Sequence, residues 1–338
     1  MSGNEGPASP IAPDPAPTPR PAPPGSPPGV GGPRFGQVLD AILRLYRWRG
    51  RLVLGLSAAF ELPAFAISAV LGARMLADMT ALLGFSPLDP PTTLPDAYPP
   101  LDGALLGDLL AALLGLVVVG IVAGTLVTAA LGLAVADLGA GRSPTVLRTL
   151  GATMRRLPVL LTSEILYLGV VGGIFLGGML LVSVPVALSP DPGSGGPLVF
   201  LGIVAFVGVM AATVFLALRL AFWPQAVAIE GTAPITGFRR SWHLATGSTW
   251  RVLGYAVALG LFGYMATLVL SQLGGIAIDL AGRAGAAPIA LQLGWSIVVT
   301  VVVAPIAPLG MTLLYLDLRR VRGGPAQAPV QSPFQGPV

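Results

Sequence analysis

The sequence predicts an all-α protein: a polytopic membrane helical bundle of about six transmembrane helices. Of its 338 residues, 54% are hydrophobic and 10% are charged, whereas a soluble domain has roughly 25% charged residues. Six stretches long enough to span a membrane carry no charge or a single one. Because so few polar residues could not cover a soluble surface, we expect much of the apolar surface to face lipid.

The elements follow a threefold repeat, in which a short basic amphipathic helix precedes two spans. Apolar residues at helical spacing predict the first short helix over 35–48, with Asp40, Arg44, Arg47 and Arg51 on its opposite side. This helix leads directly into the first span. The spans are predicted at about 52–78, 109–138, 159–188, 198–229, 252–280 and 287–316.

The second short helix is predicted over 145–156, with Ser143 as N-cap and Pro144 at its first helical position. Its apolar stripe would comprise Val146, Leu147, Leu150 and Met154. Its cationic residues, which lie off that stripe, are Arg148, Arg155 and Arg156. We therefore expect this helix to lie in the membrane interface with its arginines toward water or lipid head groups.

The third short helix is predicted to begin at Pro234, with Ile235, Phe238 and Trp242 facing inward. Arg239, Arg240 and His243 would lie on its other faces, and Arg251 follows before the fifth span. Within the fourth span, Trp223 and Pro224 predict a kink, because proline removes a backbone donor.

The flanking segments 1–33 and 323–338 are rich in Pro and small residues, which predicts disordered tails around a membrane domain at 34–322. Two G-x-x-x-G pairs, Gly120 with Gly124 and Gly173 with Gly177, predict sites of close helix approach.

The distribution of arginine predicts the orientation. All 19 cationic residues are arginines, and nearly all of them lie on the three short helices or after the last span. The three opposite loops hold only Arg74 and Arg283. Because positively charged loops stay in the cytoplasm, we expect a multi-pass protein of the cell membrane with both termini cytoplasmic.

The composition excludes several kinds of chemistry. The sequence has no cysteine, no lysine and a single histidine, so it offers no thiolate nucleophile, Schiff-base lysine or histidine metal cluster. We expect no cofactor, no metal and no enzymatic activity. The arginines flank hydrophobic runs, which favours membrane lipids, and the anionic ones in particular, as partners over nucleic acid.

Three charged residues lie inside predicted spans: Glu61, Glu164 and Arg219. A charge at mid-bilayer costs at least about 2.5 kcal/mol, so such residues often mark a Glu–Arg pair or a site for an ion or head group. The alternatives are that Glu164 reaches water, that Arg219 partly extends to the interface, and that Glu61 is neutralised by protonation.

One region resembles the bacterial membrane domain attached to some glycerophosphoryl diester phosphodiesterases. The resembling residues are Arg219, Trp223, Pro224, Glu230, Gly231, Ser241, Trp242, Trp250 and Asp317. The resemblance covers about residues 35–322 and implies a membrane domain. It does not imply hydrolase activity, because that chemistry uses two histidines in a separate barrel and this sequence has only His243.

Two functions are predicted from these features. The first is a non-catalytic membrane module that interacts with lipid, or holds a protein partner, through its arginine-bearing helices. The alternative is a transporter or permease-like protein for a small or lipidic solute, which would use Glu61, Glu164 and Arg219.

Overall fold

The computed structural model describes residues 34–83, 103–187, 196–283 and 288–322. Every regular element in these ranges is a helix, and six of the helical segments are long and apolar enough to cross a membrane. The predicted all-α membrane bundle is therefore confirmed, and the chain is a multi-pass membrane protein. The predicted tails, 1–33 and 323–338, lie outside the described residues.

The order of elements is a short helix before each pair of spans, as the repeat predicts. The elements are α1 (Phe35–Leu83), α2 (Gly103–Gly139), α3 (Val146–Arg155), α4 (Leu157–Tyr167), a π-helical turn (Leu168–Gly172), α5 (Gly173–Ala187), α6 (Gly196–Arg219), α7 (Trp223–Glu230), α8 (Pro234–Ala245), α9 (Thr249–Arg283), α10 (Pro288–Val303) and α11 (Ile306–Arg322). The first short helix is the N-terminal part of α1, which departs from helical geometry at Arg49 (φ −130°, ψ 27°).

Three of the six spans are interrupted. The π-helical turn divides the third span, and the fourth breaks between α6 and α7, where Trp223 and Pro224 predicted a kink. The sixth span breaks between α10 and α11 at Ala304 and Pro305, which the sequence analysis did not predict although Pro305 lacks the helical N–H. These breaks leave backbone polar groups that neighbouring side chains must satisfy.

The N-terminal part of α1 packs on the bundle. Val38 and Ile42 are buried, and the Phe35 ring meets the Tyr255 ring edge-on at 6.0 Å between centroids. The Tyr46 hydroxyl donates a hydrogen bond of 2.8 Å to the Val302 carbonyl. The predicted apolar face of this helix is therefore covered by protein.

The predicted N-cap of α3 is wrong, and its predicted apolar stripe is divided between the bundle and the outside. Its N-cap is Thr145, whose hydroxyl accepts a hydrogen bond from the Arg148 N–H, and not Ser143. The buried residues of α3 are Thr149 and Thr153, whereas Leu147 is 81% exposed and Met154 is also exposed. The small polar face thus packs on the bundle together with Val146 and Leu150, whereas Leu147 and Met154 face outward.

The predicted orientation of α8 is wrong. Ile235 and Trp242 are exposed, and the buried face consists of Gly237, Ser241, Leu244 and Ala245. Phe238 alone of the predicted inward residues packs inward, with its ring 5.6 Å from that of Trp223. Small residues on the buried face let α8 lie close to α7.

The two predicted G-x-x-x-G pairs are not sites of close approach. A methyl group added at Gly120, Gly124, Gly173 or Gly177 would meet no atom within 4 Å outside its own helix. The main core is instead formed by large side chains from α1, α2, α9 and α11 around the α6–α7 break, where the Phe222 and Tyr315 rings are 5.9 Å apart.

Candidate functional site

Three arginine doublets occur in the second half of the bundle's short helices and at its C-terminal end, namely Arg155–Arg156, Arg239–Arg240 and Arg319–Arg320. Consecutive residues of a helix point about 100° apart. In each doublet one arginine contacts the protein (Arg156, Arg240, Arg319) and the other is exposed (Arg155, Arg239, Arg320). The doublets therefore combine a structural cation with an outward one.

Arg156 caps the C-terminus of α7. Its guanidinium donates hydrogen bonds to the carbonyls of Val227, at 3.2 Å, and Ala228. Helix α7 ends at Glu230, and Gly231 follows in the left-handed conformation at φ 67°. A cation at a helix C-terminus meets both the unpaired carbonyls and the negative end of the helix dipole, so this contact stabilises the broken span.

Glu230 is the centre of a polar cluster that joins three helices. Its Oε1 accepts a hydrogen bond of 2.6 Å from the Tyr315 hydroxyl. The same oxygen lies 3.3 Å from Nε of Arg240 and 3.4 Å from Nε of Arg319. Because Glu230 ends α7, Arg240 lies on α8 and Arg319 lies on α11, this carboxylate fixes the ends of two spans to a short helix.

Ser241 bridges the break in the fourth span. It is fully buried, and its hydroxyl donates to the Arg219 carbonyl (2.9 Å) and accepts from the Phe222 N–H (3.0 Å). Both backbone groups are at the break, where the helical ladder stops. Pro224, in the first turn of α7, causes no loss of a hydrogen bond there because that turn has unpaired N–H groups in any helix.

Two further contacts involve residues singled out from the sequence. Arg251 forms an ion pair of 2.8 Å with Asp317, which joins the start of α9 to α11. Arg322 donates a hydrogen bond of 2.6 Å to the Leu244 carbonyl near the end of α8. Trp250 is 85% exposed, as expected of an aromatic residue at a membrane interface.

The three intramembrane charges do not pair with one another. Glu164 is 3% exposed and accepts a hydrogen bond of 2.5 Å from the Thr125 hydroxyl. Arg219 donates to the Thr246 hydroxyl at 2.5 Å and lies against the rings of Phe215 and Trp242. Glu61 is partly exposed on α1. No ion pair within the described residues joins these three, so the hypothesis of a Glu–Arg pair is wrong.

The exposed arginines on the short helices and at the C-terminal end form a set that we call the outward arginines. They are Arg44, Arg47, Arg49 and Arg51 on α1, Arg148 and Arg155 on α3, Arg239 on α8 and Arg320 on α11. The helices that carry them are neighbours: α3 contacts α1, and α8 contacts α11. The same region exposes large apolar side chains, including Trp48 at 78% and Leu147 at 81%.

A cleft of about 780 Å³ lies where α2, α3 and α11 meet; we call it the arginine cleft. Five arginines and one aspartate line it: Arg142, Arg148, Arg155, Arg156, Arg319 and Asp137. Asp137 is paired with Arg142 at 2.5 Å. The charge of this cleft is therefore strongly positive, and its uncharged lining includes Thr149, Gly151 and Ala152.

A family model described as a domain of unknown function, DUF7847, matches residues 39–318. The chain belongs to this family. No curated protein and no solved structure matches the chain. The description of DUF7847 assigns no activity, so the resemblance to the phosphodiesterase membrane domain stays a prediction. In the described part of this DUF7847 protein, no group of three or more His, Asp or Glu side chains could hold a metal ion.

Sequence reasoning missed several residues of this region. Thr149 lies on the buried face of α3 and lines the arginine cleft, but only the apolar stripe and the arginines of this helix were singled out from the sequence. Tyr315 and Arg319 were treated only as part of the last span and its flank. Their spacing of four residues, which places both on one helix face, was a usable signal that they act together.

Proposed function

We propose that this DUF7847 protein is a non-catalytic membrane module that binds anionic lipid at its arginine-bearing end, in the cytoplasmic leaflet of the cell membrane. The observation that carries the proposal is the division of the arginines into structural and outward ones. The structural arginines are already compensated by Glu230, Asp317 and backbone carbonyls. The outward arginines meet no carboxylate in the described residues, so lipid phosphates are their natural partners.

The exposed apolar side chains beside the outward arginines support a membrane-surface role. Trp48, Leu147 and Trp250 are each more than three-quarters exposed, which would be costly in water but suits the boundary between head groups and acyl chains. An arginine beside such a residue can reach a phosphate while the ring or alkyl group stays in the apolar layer. The absence of lysine and cysteine, with one histidine, supports the non-catalytic part of the proposal.

The transporter alternative has less support. It requires Glu61, Glu164 and Arg219 to act on a solute, but Glu164 is bonded to Thr125 and Arg219 to Thr246. A scaffold for a protein partner would use the same outward arginines, and it would be favoured over lipid binding if the purified protein showed no preference for anionic lipid.

Lipid preference can be measured by native mass spectrometry of the full chain in detergent, incubated with either phosphatidylglycerol or phosphatidylcholine. We expect more bound phosphatidylglycerol. Each nearby arginine contributes about 1 kcal/mol to anionic-lipid attraction. Arg44→Gln with Arg47→Gln should therefore lower phosphatidylglycerol affinity by about 2 kcal/mol, or roughly 30-fold. Equal retention of the two lipids would contradict the proposal.

The matched control replaces Arg74 and Arg283, which the sequence analysis places at the opposite side of the membrane, with glutamine. This double variant loses the same charge and should keep the preference for phosphatidylglycerol. Orientation is tested separately, with alkaline phosphatase and fluorescent-protein fusions at each terminus. Fluorescent fusions without phosphatase activity are expected; active phosphatase fusions would place the outward arginines on the other leaflet.

A further inference from the structure

The arginine cleft is concave, whereas binding through diffuse surface charge would require no cavity. Arg148 and Arg155 lie seven residues apart on α3, which puts them about 10 Å apart along the same side of the helix. Between them the lining residues Gly151 and Ala152 have no bulk, and a methyl group at Gly151 would meet nothing within 4 Å. The space between the two guanidinium groups is therefore open.

Thr149 supplies a second and independent observation. Thr149 is 3% exposed, its hydroxyl has no hydrogen-bond partner among the described residues, and the residue lines the arginine cleft. Buried hydroxyls are almost always hydrogen-bonded. Thr153, one turn later on the same face, follows that rule by donating to the Thr149 carbonyl at 3.0 Å. Within the described part of the chain, the Thr149 hydroxyl thus lacks an acceptor, and its residue lines a cleft that five arginines also line.

The charges of the cleft indicate the chemistry of that acceptor. Arg156 is held by the α7 carbonyls, and Arg142 is paired with Asp137. Arg148 and Arg155 are exposed and meet no carboxylate in the described residues. Two guanidinium groups and one hydroxyl match a group with several acceptor oxygens and more than one negative charge, and a phosphate monoester has both. The volume of about 780 Å³ suits a small ligand, for which sites of about 300–1,000 Å³ are usual.

We propose that the arginine cleft binds a single phosphate monoester, with Arg148 and Arg155 pairing its charge and Thr149 donating a hydrogen bond to one of its oxygens. The group can be the head of a lipid, phosphatidic acid, or a soluble phosphate. The lipid form of this inference rests on the proposed function. The site itself does not, because a soluble phosphate would use the same three side chains.

The test is isothermal titration calorimetry of the full chain in detergent with dihexanoyl phosphatidic acid, dihexanoyl phosphatidylcholine and inorganic phosphate. We expect phosphatidic acid to saturate one site per chain and phosphatidylcholine to give no saturable signal. Arg148→Gln with Arg155→Gln should lower the affinity for phosphatidic acid by at least about tenfold, since two charge-assisted hydrogen bonds are lost. Thr149→Val should lower this affinity by about fivefold, and Thr149→Ser should bind phosphatidic acid as tightly as the unchanged protein does.

The control is again Arg74→Gln with Arg283→Gln, which should leave this binding unchanged. Thermal unfolding of Thr149→Val and Thr149→Ser shows whether both remain folded; if Thr149→Val unfolds, the arginine double variant carries the test alone. No saturable binding of either phosphate probe would overturn the site. So would an equal loss from Arg44→Gln with Arg47→Gln, because binding would then follow diffuse charge.

The remaining outcomes separate this inference from the proposed function. If inorganic phosphate binds as tightly as phosphatidic acid, the site stands with a soluble ligand and the lipid form is overturned. If the cleft variants change nothing while phosphatidylglycerol retention still depends on Arg44 and Arg47, the site is overturned and the proposed function stands.

Discussion

Helices α3 and α8 hold corresponding places in the repeat, yet they use their polar residues differently. Each carries an arginine doublet in its last turns or just beyond, and each buries a face of small residues. In α8 the inward groups are taken up by the protein: Ser241 bridges the α6–α7 break and Arg240 meets Glu230. In α3 the buried Thr149 hydroxyl has no hydrogen-bond partner in the ranges that the structure describes.

The two helices are therefore under different constraints. The polar residues of α8 hydrogen-bond to backbone groups and pair with a charge inside the bundle, so they should determine the stability of the fold. In α3, the Thr149 hydroxyl and the exposed Arg148 and Arg155 belong to residues that line a cleft, so these three should determine ligand binding. Paired substitutions in and around the two helices therefore test whether they differ in this way.

The largest effect is expected at Glu230, the carboxylate to which α8 is paired. Glu230→Gln keeps an acceptor for Tyr315 but leaves Arg240 and Arg319 uncompensated, and loss of one partner from a largely buried ion pair costs about 3 kcal/mol. Unfolding in mixed micelles of mild detergent and dodecyl sulfate measures this loss. The control is Asp137→Asn at the edge of α3's cleft, whose partner Arg142 has a side chain 58% exposed; its loss should stay below about 1 kcal/mol. Equal losses would contradict the comparison.

The second largest effect is expected within one doublet. Arg156→Gln removes the charged donor from the Val227 and Ala228 carbonyls, and a hydrogen bond to a charged group contributes about 2 kcal/mol. Arg155→Gln, at an exposed position, should change the free energy of unfolding by less than about 0.5 kcal/mol. The same unfolding measurement checks both. If Arg155→Gln proved as destabilising as Arg156→Gln, the division into structural and outward arginines would be wrong.

A smaller effect is expected from the buried hydroxyls. Ser241→Ala removes both hydrogen bonds at the break and leaves the Phe222 N–H buried without an acceptor, at a cost of about 1.5 kcal/mol. The counterpart in α3 is Thr153, whose hydroxyl bonds only a carbonyl of its own helix. Thr153→Val keeps the shape and should cost less than about 0.5 kcal/mol. A similar loss in the two variants would show that Ser241 does not stabilise the break.

The spans and their order could be predicted because the signals are local. Hydropathy over about 20 residues locates a span, and the proline at 224 marks the break in the fourth one. The break in the sixth span was harder to predict, because Pro305 lies within an uninterrupted apolar run that resembles a single helix. The partners of Glu230 could not be found this way, since Tyr315 is 85 residues distant in sequence.

The side of α3 or α8 that packs on the bundle could not be predicted from hydropathy either. In water an apolar stripe identifies the buried face, but at a membrane interface lipid accepts the same side chains. Leu147 and Ile235 are therefore exposed, while Thr149 and Ser241 are buried where helices approach closely. In α8, small residues at helical spacing indicate the protein-facing side better than the large apolar ones do.

The smallest expected effect tests the comparison directly, because the same substitution, glycine to alanine, should change stability in opposite directions in the two helices. At Gly237 in α8 a Cβ would lie 2.7 Å from Cγ2 of Val227, and valine has little rotamer freedom to withdraw. Gly237→Ala should therefore destabilise the bundle by about 1 kcal/mol through overpacking. At Gly151 in α3 a Cβ meets nothing within 4 Å, so Gly151→Ala should stabilise by up to about 1 kcal/mol through helix propensity. Unfolding midpoints that moved in the same direction for both variants would mean that α8 is not the more tightly packed of the two helices.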